Sequence, residues 1–434
     1  MRIVIWDNLD TKSQQSVLTR PSAVANDRLI HSVDSILKAV RADGDAALRA
    51  YTKRFDGVDI TDLKVPQAAM KAAWDALAAP DKAALQTAKA NIEVFHKAQL
   101  PKAFEVETMP GVMCRREPRP IDSAGLYIPG GSAPLVSTLL MLAIPAKIAG
   151  VPKRIAITPP GRDGKVNRYI LAAAYLCGIE DLYIGGGAQA IAALGYGTQT
   201  IPKCAKIFGP GNAYVAQAKA QISTEMGGPA IDLPAGPSEA MVLADDQANP
   251  VFVASDLLSQ AEHDPLAQVM CVCASQEFAR ALALEIASQL ESLPRKDIAA
   301  QALANGYILI APERGTMIEI ANDYAPEHLI VQVQNPQDIL PEVRNAGSVF
   351  LGPWTPEAVG DYASGTNHTL PTYGAARSFS GVGTESFMKF ISVQTLTRKG
   401  LENIGPCVER LASMEGLEAH RRAISLRLKS GAST

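Results

Sequence analysis

Ala124-Gly125-Leu126-Tyr127-Ile128-Pro129-Gly130-Gly131-Ser132-Ala133-Pro134 reads as a short buried strand running into a tight turn. A brief apolar run closed by Pro and Gly is a strand signal, and Ser132 is a candidate cap for a following helix. The same grammar recurs downstream. Arg154-Ile155-Ala156-Ile157-Thr158 ends in Pro159-Pro160-Gly161, and Asp181-Leu182-Tyr183-Ile184 ends in Gly185-Gly186-Gly187. Lys206-Ile207-Phe208 ends in Gly209-Pro210-Gly211-Asn212. Helical stretches separate these strands. This alternation predicts a parallel, doubly wound α/β sheet. Such sheets bind ligands at the carboxyl ends of their strands, where the turns after Ile128, Ile184 and Phe208 all fall. Glycines there let backbone N–H groups approach a phosphate at a helix start. None of the turns is GxGxxG, and tight packing accounts for a lone Gly-rich turn equally well.

Upstream, the pattern from residue 26 to about 100 is helical, with amphipathic stretches at 32–40 and 79–96. Residues 1–25 are polar and mixed, as in an arm lying on another surface. Residues 135–149 form a greasy run too short to span a bilayer, which needs about 20 apolar residues; a largely buried helix is expected. Downstream, a second αβ set contains Gln268-Val269-Met270-Cys271-Val272-Cys273, a helix over 276–293 and Tyr307-Ile308-Leu309-Ile310.

Size and composition narrow the class. A chain of 434 residues suits two or more domains. Its net charge of −3 and lack of a basic block argue against nucleic acid or anionic membrane as partners. The opening Met1-Arg2-Ile3-Val4-Ile5-Trp6-Asp7 lacks the apolar core of a signal peptide, so a cytoplasmic location is expected. None of the six cysteines forms a CxxC pair, and Cys271 and Cys273 share one face of a strand as small buried residues.

The chemistry concentrates around Ser255-Asp256-Leu257-Leu258-Ser259-Gln260-Ala261-Glu262-His263-Asp264-Pro265. Apolar spacing predicts a helix over 251–263, opened by Pro250 and stopped by Pro265. Gln260 and His263 then lie one turn apart on one face. Imidazole is a good zinc ligand, and an amide oxygen is a poor one that needs stronger partners. A capped core helix ending in a polar turn reads just as well from this stretch alone. Three further clusters carry acid and imidazole: Glu327-His328 before a strand, Asp361 in the turn-rich loop ending at His368, and Glu415 to Arg422. In the last, Glu418 can pair with Arg421 or Arg422 along a helix. His96, beside Lys97, reads as a surface or interface histidine.

Resemblance joins these scattered pieces. The motifs GLYIPGGSAPLVSTLLMLAIPAKIAG (125–150), GGAQAIAALGYGT (186–198), KIFGPGNAYV (206–215), DLPAGPSEA (232–240), FVASDLLSQAEHDP (252–265), APEHLIV (325–331) and AGSVFLGPWTPEAVGDYASGTNHTLPT (346–372) resemble the histidinol dehydrogenase family over essentially the whole chain. That resemblance implies a cytoplasmic homodimer that oxidises L-histidinol to L-histidine through the aldehyde, using two NAD⁺ in succession. It implies one Zn²⁺ per subunit, held by Gln260, His263, Asp361 and His420. Glu327 and His328 become the catalytic pair. Ser238 and Glu415 join His328 and the metal ligands as substrate contacts, with Glu415 and His420 reaching over from the other subunit. Tyr127, Gln189 and Asn212 become NAD contacts.

The implied fold is two incomplete Rossmann-like units. The expected boundaries are an N-terminal arm at 1–25, a first domain at 26–128 plus 239–381, an inserted NAD-side domain at 129–238, and a helical dimerisation segment at 382–434. Other chemistries remain open on these residues. One is a dehydrogenase of a related amino alcohol, and another is a zinc hydrolase with Glu327 as base. A third is a thiohemiacetal route through Cys114, whose neighbours Arg115 and Arg116 favour thiolate.

Overall fold

A computed structural model describes residues 1–20, 27–130, 134–234 and 236–430. Ser132, the candidate cap, lies outside the described residues. The strands in chain order are β1 Arg2–Ile5, β2 Phe104–Met109, β3 Val112–Pro120, β4 Ser123–Tyr127, β5 Lys153–Thr158, β6 Asp181–Ile184 and β7 Lys206–Phe208. They continue with β8 Ala230–Ile231, β9 Glu239–Ala244, β10 Gln268–Cys273, β11 Tyr307–Ile310, β12 His328–Gln332, β13 Ser348–Leu351 and β14 Met388–Leu396.

Two parallel sheets organise the first compact unit, Met1–Gln99 with Asp122–Phe387. The five-stranded sheet runs β6-β5-β4-β7-β8 and the six-stranded sheet β1-β11-β10-β9-β12-β13. Each starts in the middle, winds outward over two strands, then returns to the other side of its first strand. That is the Rossmann order without its last strand, with β1 added at one edge. The expected fold class, two incomplete Rossmann-like sheets, is the one observed.

Period-2 alternation sorts the six-stranded sheet's side chains onto two faces. Met241, Leu243, Met270 and Val272 pack with Trp6, Val17 and Tyr324. Ala240, Val242, Cys271 and Cys273 pack with Leu257 and Phe278 on the other face. With helices on both sides, these strands read as continuous apolar runs.

The domain boundaries fall elsewhere than expected. Residues 2–5 are not an arm but the strand β1, in register with β11. Strand β4 pairs with β5 and β7, so a boundary at 129 cuts the five-stranded sheet. Helix Asp27–Asp43 buries Val33, Ile36, Leu37 and Val40 in one cluster with Ile155, Ile157 and Leu194. It therefore belongs to the five-stranded sheet and not to the first domain as drawn. An amphipathic stripe shows that a face is buried, but not against what.

The second compact unit joins Leu100–Ile121 to Met388–Thr434. Here β14, β3 and β2 form an antiparallel sheet, and helices Arg398–Met414 and Glu418–Lys429 pack together. The C-terminal segment is thus not purely helical. Its strand was signalled by the β-branched and aromatic run from Phe390 to Leu396. His96 is also not at the surface. It is fully buried, with Nδ1 2.9 Å from the Ile92 carbonyl oxygen, and burial lowers its pKa. Its neighbour Lys97, turned by one helical step, takes the exposed face. Among the described residues no helix is long and apolar enough to cross a membrane.

Candidate active site

The expected acid–base pair sits where β12 begins. His328 is the first residue of that strand, in register with Ala240 of β9, and Glu327 immediately precedes it. Both are at the amino ends of the strands. The carboxyl-end expectation therefore does not extend to this pair. Both are buried, and both are held by the main chain of Glu239. The Glu239 N–H donates to Glu327 Oε2 at 2.8 Å, and His328 Nδ1 lies 3.1 Å from the Glu239 carbonyl oxygen. A carbonyl only accepts, so Nδ1 carries the proton, which leaves Nε2 as the free base position. Nε2 is buried without a hydrogen-bond partner and lies 3.5 Å from Asp361 Oδ1.

Helix Glu357–Tyr362 supplies the facing wall. Glu357 and Asp361 are four residues apart and share a face. Gln260, buried in the last turn of helix Pro250–Ala261, links this wall to β9. Its amide nitrogen donates to Glu357 Oε1 at 2.6 Å and its oxygen accepts from the Glu239 N–H at 3.1 Å. The helix ends two residues short of its expected limit. His263 therefore lies just past the cap, exposed, with its N–H on the Gln260 carbonyl at 3.2 Å. Asp361 and His328 both act electrostatically on the His263 imidazole. Ser238 is half-buried directly before β9.

Burial pushes the Glu327 carboxyl up to about 8, against the pull of His328 and the Glu239 N–H. Burial disfavours the charged imidazole of His328. The carboxylates of Glu357, Glu327 and Asp361 outweigh it and hold His328 well above the usual histidine range. Burial also acts on Asp361, but the His328, His368 and His263 imidazoles prevail and keep its carboxyl low.

Ligand atoms of His328, Glu357 and Asp361 all lie within 4.8 Å of one another, as a metal site requires. Glu357 Oε2, like His328 Nε2, is a buried atom with no partner. Oxygen and imidazole donors suit zinc. Asp361 is common to this group and to the expected ligand set. Glu415 and His420 are carried by the second unit, where both are exposed. Glu418, on the same helix as His420, pairs with Arg421 and Arg422, at 2.8 and 2.9 Å.

Sequence reasoning passed over Glu357, although its i, i+4 spacing to Asp361 is visible. It also passed over His368, whose Nδ1 is 3.0 Å from the Asp361 carbonyl oxygen and whose Nε2 is 3.0 Å from Thr138 Oγ1. The backbone role of Glu239 left no sequence signal.

The other expected contacts line the carboxyl edge of the five-stranded sheet. Tyr127 ends β4, Gln189 is buried in the first turn of helix Gly187–Tyr196, and Asn212 caps helix Ala213–Thr224 after β7. Strands β4 and β7 are neighbours that continue in opposite directions, which is the switch point where such sheets take ligands. The Tyr127 hydroxyl accepts from the Gly187 N–H at 3.2 Å, and burial pushes its pKa up to about 12. Gly209 has φ 122°, and a Cβ there would overlap the Tyr127 carbonyl oxygen.

A buried Lys219–Asp232 ion pair clamps that turn. Lys219 Nζ donates to the Gly209 carbonyl at 2.9 Å, and Asp232 Oδ2 accepts from the Gly209 N–H at 2.8 Å. Lys219→Met leaves Asp232 buried without its counter-charge and costs about 3–5 kcal/mol. Urea unfolding checks this, and an unchanged midpoint with unchanged slope would refute it.

Two Rossmann-ordered sheets with a buried imidazole–carboxylate pair define the class, a doubly wound α/β protein with a proton-transfer site. The sequence profile of the histidinol dehydrogenase family matches residues 19–428. Histidinol dehydrogenase of Vibrio parahaemolyticus is 49% identical over 99% of both chains, and that of Campylobacter jejuni is 50% identical over 99% of this chain and 100% of its own. The crystal structure of the Elizabethkingia anophelis histidinol dehydrogenase superposes with a TM-score of 0.95 at 46% identity, covering 99% of this chain and 98% of that one. The chain belongs to the histidinol dehydrogenase family.

Proposed function

We propose that this chain oxidises L-histidinol to L-histidine through L-histidinaldehyde, as the closing steps of histidine biosynthesis in the cytoplasm. The observation that carries the reading is the Glu327–His328 pair, fixed through one residue's main chain and facing Asp361. In this reading NAD⁺ takes up hydride in two successive rounds, on the side marked by Tyr127, Gln189 and Asn212. One zinc per subunit is held by Gln260, His263 and Asp361, with His420 from the other subunit of a homodimer. When bound, zinc supplies positive charge that fixes the substrate's imidazole and amine and offsets the carboxylates around His328, lowering its pKa toward the range of a base.

The chain's own residues move the protons. His328 Nε2 takes the alcohol proton as hydride departs. Its Nδ1–H stays on the Glu239 carbonyl, which keeps the ring oriented. Glu327, whose raised pKa makes it a stronger base than a surface carboxylate, takes a proton from water to give the aldehyde hydrate. His328 gives its proton to the carbonyl oxygen as the water adds, which frees Nε2 to accept again in the second oxidation. Ser238 and Glu415, with Glu415 again from the partner, hold the substrate. Holding the reacting atoms in line supplies up to about 7–11 kcal/mol of the barrier reduction in ideal cases.

An absorbance assay with L-histidinol and NAD⁺ tests this directly. Two reduced nicotinamides are expected per histidinol consumed. Exhaustive chelation should abolish turnover, and zinc should restore it. Hydrolysis without nicotinamide would instead favour a zinc hydrolase. Full turnover after metal analysis shows no metal would remove zinc from the reading.

A further inference from the structure

We propose that Arg20 is a positioning residue for the acid–base pair, acting through Glu239 and through the turn that delivers Glu327 and His328. The proposal rests on reading those two residues as the pair. Arg20 Nε donates to Glu239 Oε1 at 2.8 Å and an Nη donates to Oε2 at 2.9 Å, a two-pronged pair with a carboxylate that is 1% exposed. The same guanidinium donates to the carbonyls of Tyr324 at 2.7 Å and Ala325 at 3.3 Å. It also lies over the Tyr324 ring, 3.8 Å from its centroid.

One side chain therefore ties two segments together. The first is the start of β9, where the Glu239 N–H and carbonyl hold Glu327 and His328. The second is the turn at Ala325, where φ is 53°, a conformation that non-glycine residues adopt only when surrounding contacts impose it. That turn leads through Pro326 straight into Glu327 and His328. Tyr373 adds a third support by donating its N–H to Glu239 Oε1 at 2.8 Å. A planar guanidinium with five donors can serve the carboxylate, two carbonyls and a ring face at once; an ammonium cannot. Arg20 touches neither Glu327 nor His328, so its effect on the reaction is through geometry.

The test is steady-state kinetics of Arg20→Met, Arg20→Lys and the double variant Arg20→Met/Glu239→Gln, with L-histidinol and separately with L-histidinaldehyde. Small displacements of reacting groups cost on the order of 10²-fold, and Arg20→Met should lower kcat by about that much on both substrates. KM for histidinol should move by less than about threefold and metal content should hold, because among the described residues Arg20 itself has no hydrogen bond to any proposed metal ligand or substrate contact. Arg20→Lys should recover only part of the loss. The double variant leaves no buried charge unpaired, so it should fold and still show the defect.

Wild-type kcat in the double variant would overturn the proposal. So would a loss that appears as raised KM, lost metal and a lowered melting temperature together. His328→Asn in the same series separates the two readings. If His328→Asn turns over normally, the acid–base assignment itself fails. If it is crippled while Arg20→Met is not, only the positioning role fails.

Discussion

His328→Asn lowers the rate of both oxidations by about 10²–10⁴-fold, the usual contribution of a positioned general base. Glu327→Gln leaves alcohol oxidation near its normal rate and stops the reaction at the aldehyde. The difference follows from which atoms each side chain offers. His328 has one ring nitrogen committed to the Glu239 carbonyl and one free and buried, so it can take a proton each time hydride leaves. Glu327 has one oxygen committed to the Glu239 N–H, and its second is the position from which water can be deprotonated. Glutamine keeps an oxygen for that N–H and the same volume, so the pair's framework survives while the base is gone. Single-turnover experiments with one equivalent of NAD⁺ distinguish the steps. Equal loss of both steps in both variants would defeat this division of labour.

The sheets were legible because their strands are bare apolar runs closed by Gly and Pro. A strand buried on both faces has no other way to look in sequence. The packing partner of a helix was not. Asp27–Asp43 shows a clear apolar stripe, yet nothing in that stripe distinguishes the five-stranded sheet from the six-stranded one. The site was readable in the same uneven way. Gln260, Glu327, His328 and Asp361 carry chemistry in their side chains and stand in recognisable motifs. Glu239 acts through its backbone, which every residue possesses. Arg20 lies 219 positions away from the carboxylate it pairs with. The carboxyl-end rule placed Tyr127 and Asn212 at the edge of one sheet, but the acid–base pair sits at the opposite edge of the other. There the chain uses strand starts to fix side chains, because His328 is locked by β12 pairing on both flanks, to β9 and to β13.

Subunit mixing gives the second large effect. If Asp361 and His420 hold the zinc as proposed, Asp361→Asn and His420→Asn should each reduce activity by about 10²-fold or more, since losing a ligand removes several kcal/mol of charge stabilisation. Mixed and reassembled, the two inactive proteins should recover activity. In a two-fold symmetric dimer whose C-terminal helix serves the other subunit, a heterodimer holds one site with both defects and one with neither. Random pairing makes half of the dimers mixed, so recovery should reach about a quarter of the wild-type activity. If each helix served its own subunit, every site in the heterodimer would still carry one defect and no activity would return. His420 is exposed and belongs to the second compact unit, whereas Asp361 belongs to the first. In the proposed reading, a fourth ligand borrowed across the two-fold axis would make catalysis depend on protomer concentration. Dilution below the dimer's dissociation constant should therefore silence the enzyme while each monomer keeps its Glu327–His328 pair in place.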